Sequence, residues 1–314
     1  MKKFLTRVFV FLLIMAVSAS GIVILKMEVI GNQYSGNYQA SIIDKVDRLN
    51  SIDEPKIILV GNSNLAFGID SEKIEKEIGM PVVNLGLHGG MNNEFHEKVA
   101  KQNINEGDLV IVCYTSYSDD GKITDPALAW ITIEDNLDLW PLISIQNYPN
   151  MIWHYKEYFK DCYDLWKSDG GNTYAAHSYS RSAFNKYGDI VVRTPGGYAE
   201  RSTIFNETSL YIPEINDTCT SRLNRFNKYV ASMGAELVVA SYPIAYGEFT
   251  PSKSEYEKFQ SDLESALDFE VISNFTDYFI PYEYFYDTKY HLTEEGVKIR
   301  TEQLIQDIKN WKNL

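Results

Sequence analysis

The chain is poor in cysteine, in histidine and in positive charge. Three cysteines and five histidines are spread over 314 residues. The histidines are His88, His96, His154, His177 and His291, and none stands close to another or to a cysteine. No metal-ligand spacing arises, so no metal or organic cofactor is implied. Cys113 lies inside the apolar run Leu109–Tyr114 and reads as a small core residue. Cys162 and Cys219 are able to pair in an oxidising compartment, but nothing in their spacing demands it. Lys and Arg number 29 against 43 Asp and Glu. Four of the basic residues fall in 1–26, which holds no acid, so the remainder carries 25 basic and 43 acidic side chains, a net charge of −18. Such a domain gains no electrostatic attraction to nucleic acid or to anionic lipid. No internal repeat and no low-complexity tract is present.

The N-terminus has what the rest of the chain lacks. Lys2, Lys3 and Arg7 precede eighteen uncharged residues, Val8 to Leu25, and Lys26 follows. At the rise of a helix this run spans about 27 Å, close to the hydrocarbon thickness of a bilayer. Basic residues before the span put the N-terminus in the cytoplasm and the main domain outside. Val17-Ser18-Ala19 is a small-residue pattern of the kind signal peptidase cuts. The apolar run continues past it to Leu25, which suits an uncleaved anchor. The expectation is therefore a signal-anchor at 1–26, with a secreted, cleaved form as the alternative.

After the anchor, 27–55 reads as a stalk leading into a helix (Ala40 to Leu49), and 56–314 as one large domain. Apolar runs at 56–60, 82–85, 109–113, 237–240 and 269–272 alternate with helical patterns. The helices are expected at 72–78 with Ser71 as cap, 93–103, 221–233, 255–267, and 294–311 with Thr293 as cap. Continuous apolar strands alternating with helices argue for a parallel α/β sheet. Ligands of such sheets sit beyond the carboxyl ends of the strands. The segment 119–220 is too long for an ordinary connection. It is rich in aromatics and has Gly/Ser/Asn turns near Asp169–Thr173. It reads as an insertion of helices and loops, either folded over the sheet rim or packed as an appendage.

Three short segments fall on that rim. Gly61-Asn62-Ser63-Asn64 follows the first run, Asn84-Leu85-Gly86 closes the second, and Asp287-Thr288-Lys289-Tyr290-His291 precedes the last helix. A serine hydroxyl is a poor nucleophile without an adjacent base. Ser63 on a strand-to-helix turn and His291 just before a capped helix would supply that pair. Turn hydrogen bonding alone would also explain Ser63 and Asn64.

In these segments the chain resembles the SGNH/GDSL hydrolase superfamily, and more narrowly its membrane-anchored branch that works beside cell-envelope O-acyltransferases. Gly61-Asn62-Ser63 stands where that family's Gly-Asp-Ser block holds its nucleophile. Asn84-Leu85-Gly86 resembles the second block, whose glycine N–H helps bind the oxyanion. The resemblance therefore implies Ser63 as nucleophile, His291 as base, Asp287 as its carboxylate partner, and the N–H groups of Ser63 and Gly86 as oxyanion donors. It also implies a flavodoxin-like three-layer sandwich with a parallel sheet of about five strands. Two departures stand out. The family places its aspartate three residues before the histidine, where this chain has Thr288, and Asp287 is four before. The family often has a Gly-x-Asn in its third block, where this chain has Tyr114-Thr115-Ser116-Tyr117. Asn64, Ser116 and Asn92 are candidates to replace that donor.

The function implied is an extracytoplasmic serine esterase or O-acyltransferase acting on acyl esters, acetyl among them, of a cell-surface glycan. A membrane O-acyltransferase is the implied partner. The alternative is a non-catalytic, envelope-anchored accessory protein on the same fold. Asn206, Asn216 and Asn274 begin N-glycosylation sequons, which arise often by chance.

Overall fold

The computed structural model describes residues 1–134, 136–168, 177–193 and 200–313. The turns expected near Asp169–Thr173 lie outside the described residues. The first half of the chain runs α1 (Lys2–Leu25), α2 (Ser41–Asn50), β1 (Ile57–Gly61), the one-turn α3 (Ser63–Ala66), α4 (Ser71–Ile78), β2 (Val82–Asn84), α5 (Asn93–Ala100) and β3 (Leu109–Cys113). The insertion carries α6 (Pro126–Ile133), α7 (Tyr148–Lys167) and the short α8 (Arg201–Ile204). Then come α9 (Asp217–Ser232), β4 (Glu236–Val239), β5 (Ile244–Tyr246), α10 (Lys253–Ala266), β6 (Phe279–Pro281) and α11 (Glu294–Lys312).

Four strands form one parallel sheet in the order β2-β1-β3-β4. Successive side chains of a strand point to opposite faces, and here both faces are buried. Ile58, Val60, Val110 and Val112 face one apolar cluster, completed by Leu49 of α2, Phe95 of α5 and Phe226 of α9. Ile57, Leu59, Leu109 and Ile111 face the other, completed by Ile74 of α4 and by Leu304 and Ile308 of α11. Helices thus cover the sheet on both sides. The helix starts follow local capping chemistry. Thr293 Oγ1 accepts from Gly296 N at 3.2 Å and opens α11 as expected. Asp70, not Ser71, caps α4 through Lys73 N at 3.0 Å. Asn216 Oδ1 accepts from Cys219 N at 2.8 Å, so α9 starts before Ser221.

The fifth run does not extend the ladder. It touches the sheet through one parallel bridge, Val239 to Val271. Asn274 then caps a 3-10 turn over Phe275–Tyr278, which lifts the chain off the edge of β4. A second, two-stranded parallel sheet, β5 with β6, follows instead. The expected stalk is likewise packed. Ile30, Tyr34, Tyr38 and Ile42 are buried in the main core cluster, because the insertion covers them. Tyr34 stacks on Tyr158 of α7, and Gln39 donates to Thr132 of α6 at 2.7 Å. Helix α1 is long and apolar enough to cross a membrane, and none of its apolar window is buried in the protein. All three cysteines are buried and unpaired.

Candidate active site

The turn that carries Ser63 is built from the end of β1. Gly61 pairs with Cys113 in the sheet. A Cβ at position 61 would stand 2.6 Å from the Cys113 carbonyl oxygen, so only glycine lets β1 finish this close to β3. Asn62 then caps α3: its Oδ1 accepts from Asn64 N at 3.0 Å and from Asn64 Nδ2 at 2.7 Å. Ser63 is therefore the first residue of a helical turn, aimed out of the strand end. Beneath it the turn is locked by buried polar bonds. Asn64 Nδ2 donates to Cys113 O at 2.9 Å. Arg300 of α11, fully buried, donates to Asn64 O at 2.5 Å and to Asn64 Oδ1 at 2.7 Å.

The histidine loop comes from the far end of the chain. It follows β6 and a 3-10 turn, not the fifth apolar run directly. Phe285 and Leu292 pair as an antiparallel bridge, and Tyr286 N donates to His291 O at 2.8 Å. Thr288 Oγ1 accepts from Tyr290 N at 3.2 Å and from His291 N at 3.1 Å. This tight loop turns Asp287 back on His291. The extra residue between them is taken up by the Thr288 turn, and Asp287 Oδ1 lies 2.7 Å from His291 Nδ1. The imidazole is buried and stacks on Phe67, with ring centroids 4.1 Å apart and planes 9° apart.

The two segments meet. Ser63 Oγ lies 2.8 Å from His291 Nε2 across 228 positions of sequence. A carboxylate only accepts, so Nδ1 carries the ring proton and Nε2 is left to accept from the serine hydroxyl. Tyr179 of the insertion completes the arrangement. Its hydroxyl donates to Asp287 Oδ2 and lies 3.3 Å from His291 Nδ1. Burial first, and then this bond to Asp287, push the Tyr179 phenol far above its usual range, so it remains a proton donor.

Gly86 is not brought to the serine as an oxyanion donor. Its N–H donates to Asn84 Oδ1 at 2.9 Å and is spent. Its missing side chain serves packing instead, since a Cβ there would lie 2.7 Å from Ala66 N and from Leu65 Cβ. The glycine that lines the cleft beside Ser63 is Gly89, next to the Asn62 side chain. Neither Gly89 N nor Ser63 N has a hydrogen-bond partner among the described residues. Asn64 is also spent, by the bonds to Cys113 and Arg300. Asn92 and Ser116 stay on the cleft wall. Asn92 Nδ2 donates to Gly121 O at 2.9 Å, and Ser116 Oγ pairs with Ser118 Oγ at 3.1 Å. Thr115, in the third block, lines the cleft beside Asn62. Its Oγ1 accepts from Asn62 Nδ2 at 2.7 Å, and its own proton is left for the cleft.

The cleft in front of Ser63 and His291 has a volume of about 500 Å³. Its walls are mostly amides, hydroxyls and acids, among them Asn93, Ser118, Asp119 and Thr124. Sequence reading missed Gly89, Thr115 and Tyr179. A signal against Gly86 existed: Asn-x-Gly at 84–86 is an Asx-turn pattern, in which the asparagine side chain takes the N–H two residues on. Nothing in the insertion marks Tyr179. The three sequon asparagines act as local caps; Asn216, for one, also donates from Nδ2 to Ser118 O at 2.8 Å. No protein-family model matches the chain, and no curated protein or solved structure is significantly similar to it.

Proposed function

We propose that the protein is a membrane-anchored, extracytoplasmic serine esterase or O-acyltransferase of the SGNH/GDSL type. One observation carries this reading: the continuous chain of hydrogen bonds from Ser63 Oγ through His291 to Asp287, at 2.8 and 2.7 Å, on the carboxyl side of a parallel sheet. Ser63 Oγ attacks the ester carbonyl carbon while His291 Nε2 takes the hydroxyl proton. The carbonyl oxygen becomes an oxyanion facing the N–H groups of Ser63 and Gly89. The C–O bond to the leaving alcohol then breaks, and imidazolium returns the proton to that oxygen. Water or a polymer hydroxyl then attacks the acyl carbon and gives its proton to Nε2, and the imidazolium returns that proton to Ser63 Oγ as the acyl carbon–Oγ bond breaks, which restores the free enzyme. Asp287 keeps the proton on Nδ1 throughout and stabilises the imidazolium.

The strand order, with the Val271 bridge outside β4, supports a flavodoxin-like winding. The open cleft, whose lining residues are mostly amides, hydroxyls and acids, supports a polar, polyhydroxylated acceptor such as a cell-surface glycan. The exposed apolar helix α1 supports a single span with the domain outside, near a membrane O-acyltransferase partner. An intact hydrogen-bonded relay weighs against the accessory alternative, in which no pressure would hold Asp287 and His291 in register. The test is labelling by a serine-reactive fluorophosphonate. Wild-type protein should label and Ser63→Ala should not. Labelling that survives the substitution would remove Ser63 from the mechanism, and an unlabelled wild type would favour the accessory role.

A further inference from the structure

The outer surface of α7 is sorted by chemistry. Met151, Tyr158 and Cys162 face inward and are buried. Trp153, Lys156, Lys160, Tyr163 and Lys167 recur every three or four residues, so they share one outward stripe. All five are exposed, Trp153 at 71%. Lys156 lies over the Trp153 ring and Lys167 over the Tyr163 ring. Beside this stripe, Ile152, Phe159 and Trp166 recur every seven residues. Ile152 is 65% and Trp166 42% exposed. The acids Glu157, Asp161 and Asp164 border the stripe on its other side, and Lys160 pairs with Asp164 at 2.7 Å. The edge away from those acids, with Ile152, Lys156, Phe159, Tyr163, Trp166 and Lys167, is aromatic, aliphatic and basic, on a domain whose net charge is strongly negative.

The position of α7 says what this flank meets. The π-helical turn Lys26–Ile30, which continues α1, packs against α7. Lys26 forms a buried ion pair with Glu134, just past α6, and lies over the Tyr158 ring of α7. Cys162 of α7 lies 4.0 Å from Glu134 Oε1. The residues that directly follow the apolar span are therefore fixed to the buried face of α7. A helix clamped to the exit of a membrane span stands at the bilayer surface. Trp and Tyr prefer the headgroup level, and lysines on the same flank extend to anionic headgroups.

We propose that α7 lies on the outer leaflet of the membrane that holds α1, with the flank bearing Ile152, Trp153, Tyr163 and Trp166 at headgroup depth and Lys156 and Lys167 on anionic lipid phosphates. This second contact makes the anchor a rigid mount: it sets the tilt of the domain and the direction in which the Ser63 cleft opens. The inference rests on the reading of α1 as a membrane span.

The test uses the full chain in vesicles of phosphatidylglycerol and phosphatidylethanolamine whose acyl chains carry bromine near the headgroup. Bromine quenches tryptophan at short range. Wild-type fluorescence should be quenched, and Trp153→Phe with Trp166→Phe should remove more than half of the quenchable signal. Reversing Lys156 and Lys167 to Glu should lower quenching at least twofold in the same vesicles. Alkaline carbonate extraction separates the two readings. Release from the vesicles would overturn the span and this mount with it. Retention with fluorescence that bromine does not touch would overturn the mount alone, as would a dimer in nanodiscs that shields Trp153 and Trp166 from bromine.

Discussion

The two halves of the candidate site are held in opposite ways. The Ser63 turn is locked from within. Asn64 and Arg300 are fully buried beneath it, and they tie the end of β1 to β3 and to α11. The histidine loop is held from the side, by the Thr288 turn, by the face of Phe67, and by a tyrosine lent by the insertion. A serine at a sheet end inherits rigidity from the sheet. A histidine on a surface hairpin has no such scaffold and needs its carboxylate and a third group to fix its ring. Damage to the first half should therefore reach the fold, and damage to the second only the chemistry.

The sharpest way to break this contrast is Arg300→Met. It leaves Asn64 O, Asn64 Oδ1 and Ser241 O without their donor in a dry interior. Unfolding free energy should fall by about 2–4 kcal/mol, and fluorophosphonate labelling should fall with it. Chemical denaturation measures the first; an unchanged midpoint would show that the turn is not locked from below.

Tyr179→Phe probes the other half. The labelling rate should drop about tenfold, the value of one well-placed hydrogen bond to a charged group, with no change in melting temperature. Combined with Asp287→Asn it should add nothing, because Tyr179 acts through Asp287. Additive losses would instead give Tyr179 a separate role.

Lys45 gives the smallest effect and sharpens the seam between sheet and insertion. It is buried, donates to Asn84 O at 2.9 Å and to Gly188 O at 2.6 Å, and sits over the Phe184 ring. Burial pulls its pKa down from 10.5 to about 7, against an opposing pull from Asp189. Between those values the unfolded chain holds a proton that the folded chain has released. Stability on this account rises with pH through that window and is lost as the pH falls toward 7. Lys45→Met should flatten the dependence of stability on pH between 7 and 9 by on the order of 1 kcal/mol. A slope equal to that of the wild type would mean that Lys45 does not titrate there.

The elements that were legible in the sequence are those whose cause is local. The four sheet strands are uninterrupted apolar runs, Thr293 is a cap with its helix directly behind it, and Val8–Leu25 is apolar by composition alone. Ser63 and His291 were findable because each sits at the end of such an element. The fifth run failed because Asn274 forms a turn before a ladder can grow, a competition that an apolar pattern does not display. The stalk failed because residues 30–42 are covered by the insertion, whose docking no periodicity encodes.

By itself the sequence determined an apolar N-terminal helix, a parallel α/β core, and a serine and a histidine at opposite ends of the domain, because helix, strand and cap are settled by residues a few positions apart. Only the tertiary structure decided that these two side chains meet, that Asp287 reaches the imidazole despite its spacing, that Gly89 and not Gly86 lines the cleft with them, and that Tyr179 joins them. Those are contacts across a hundred or more residues or choices between competing hydrogen bonds, and such choices are made by packing, not by the order of residues along the chain.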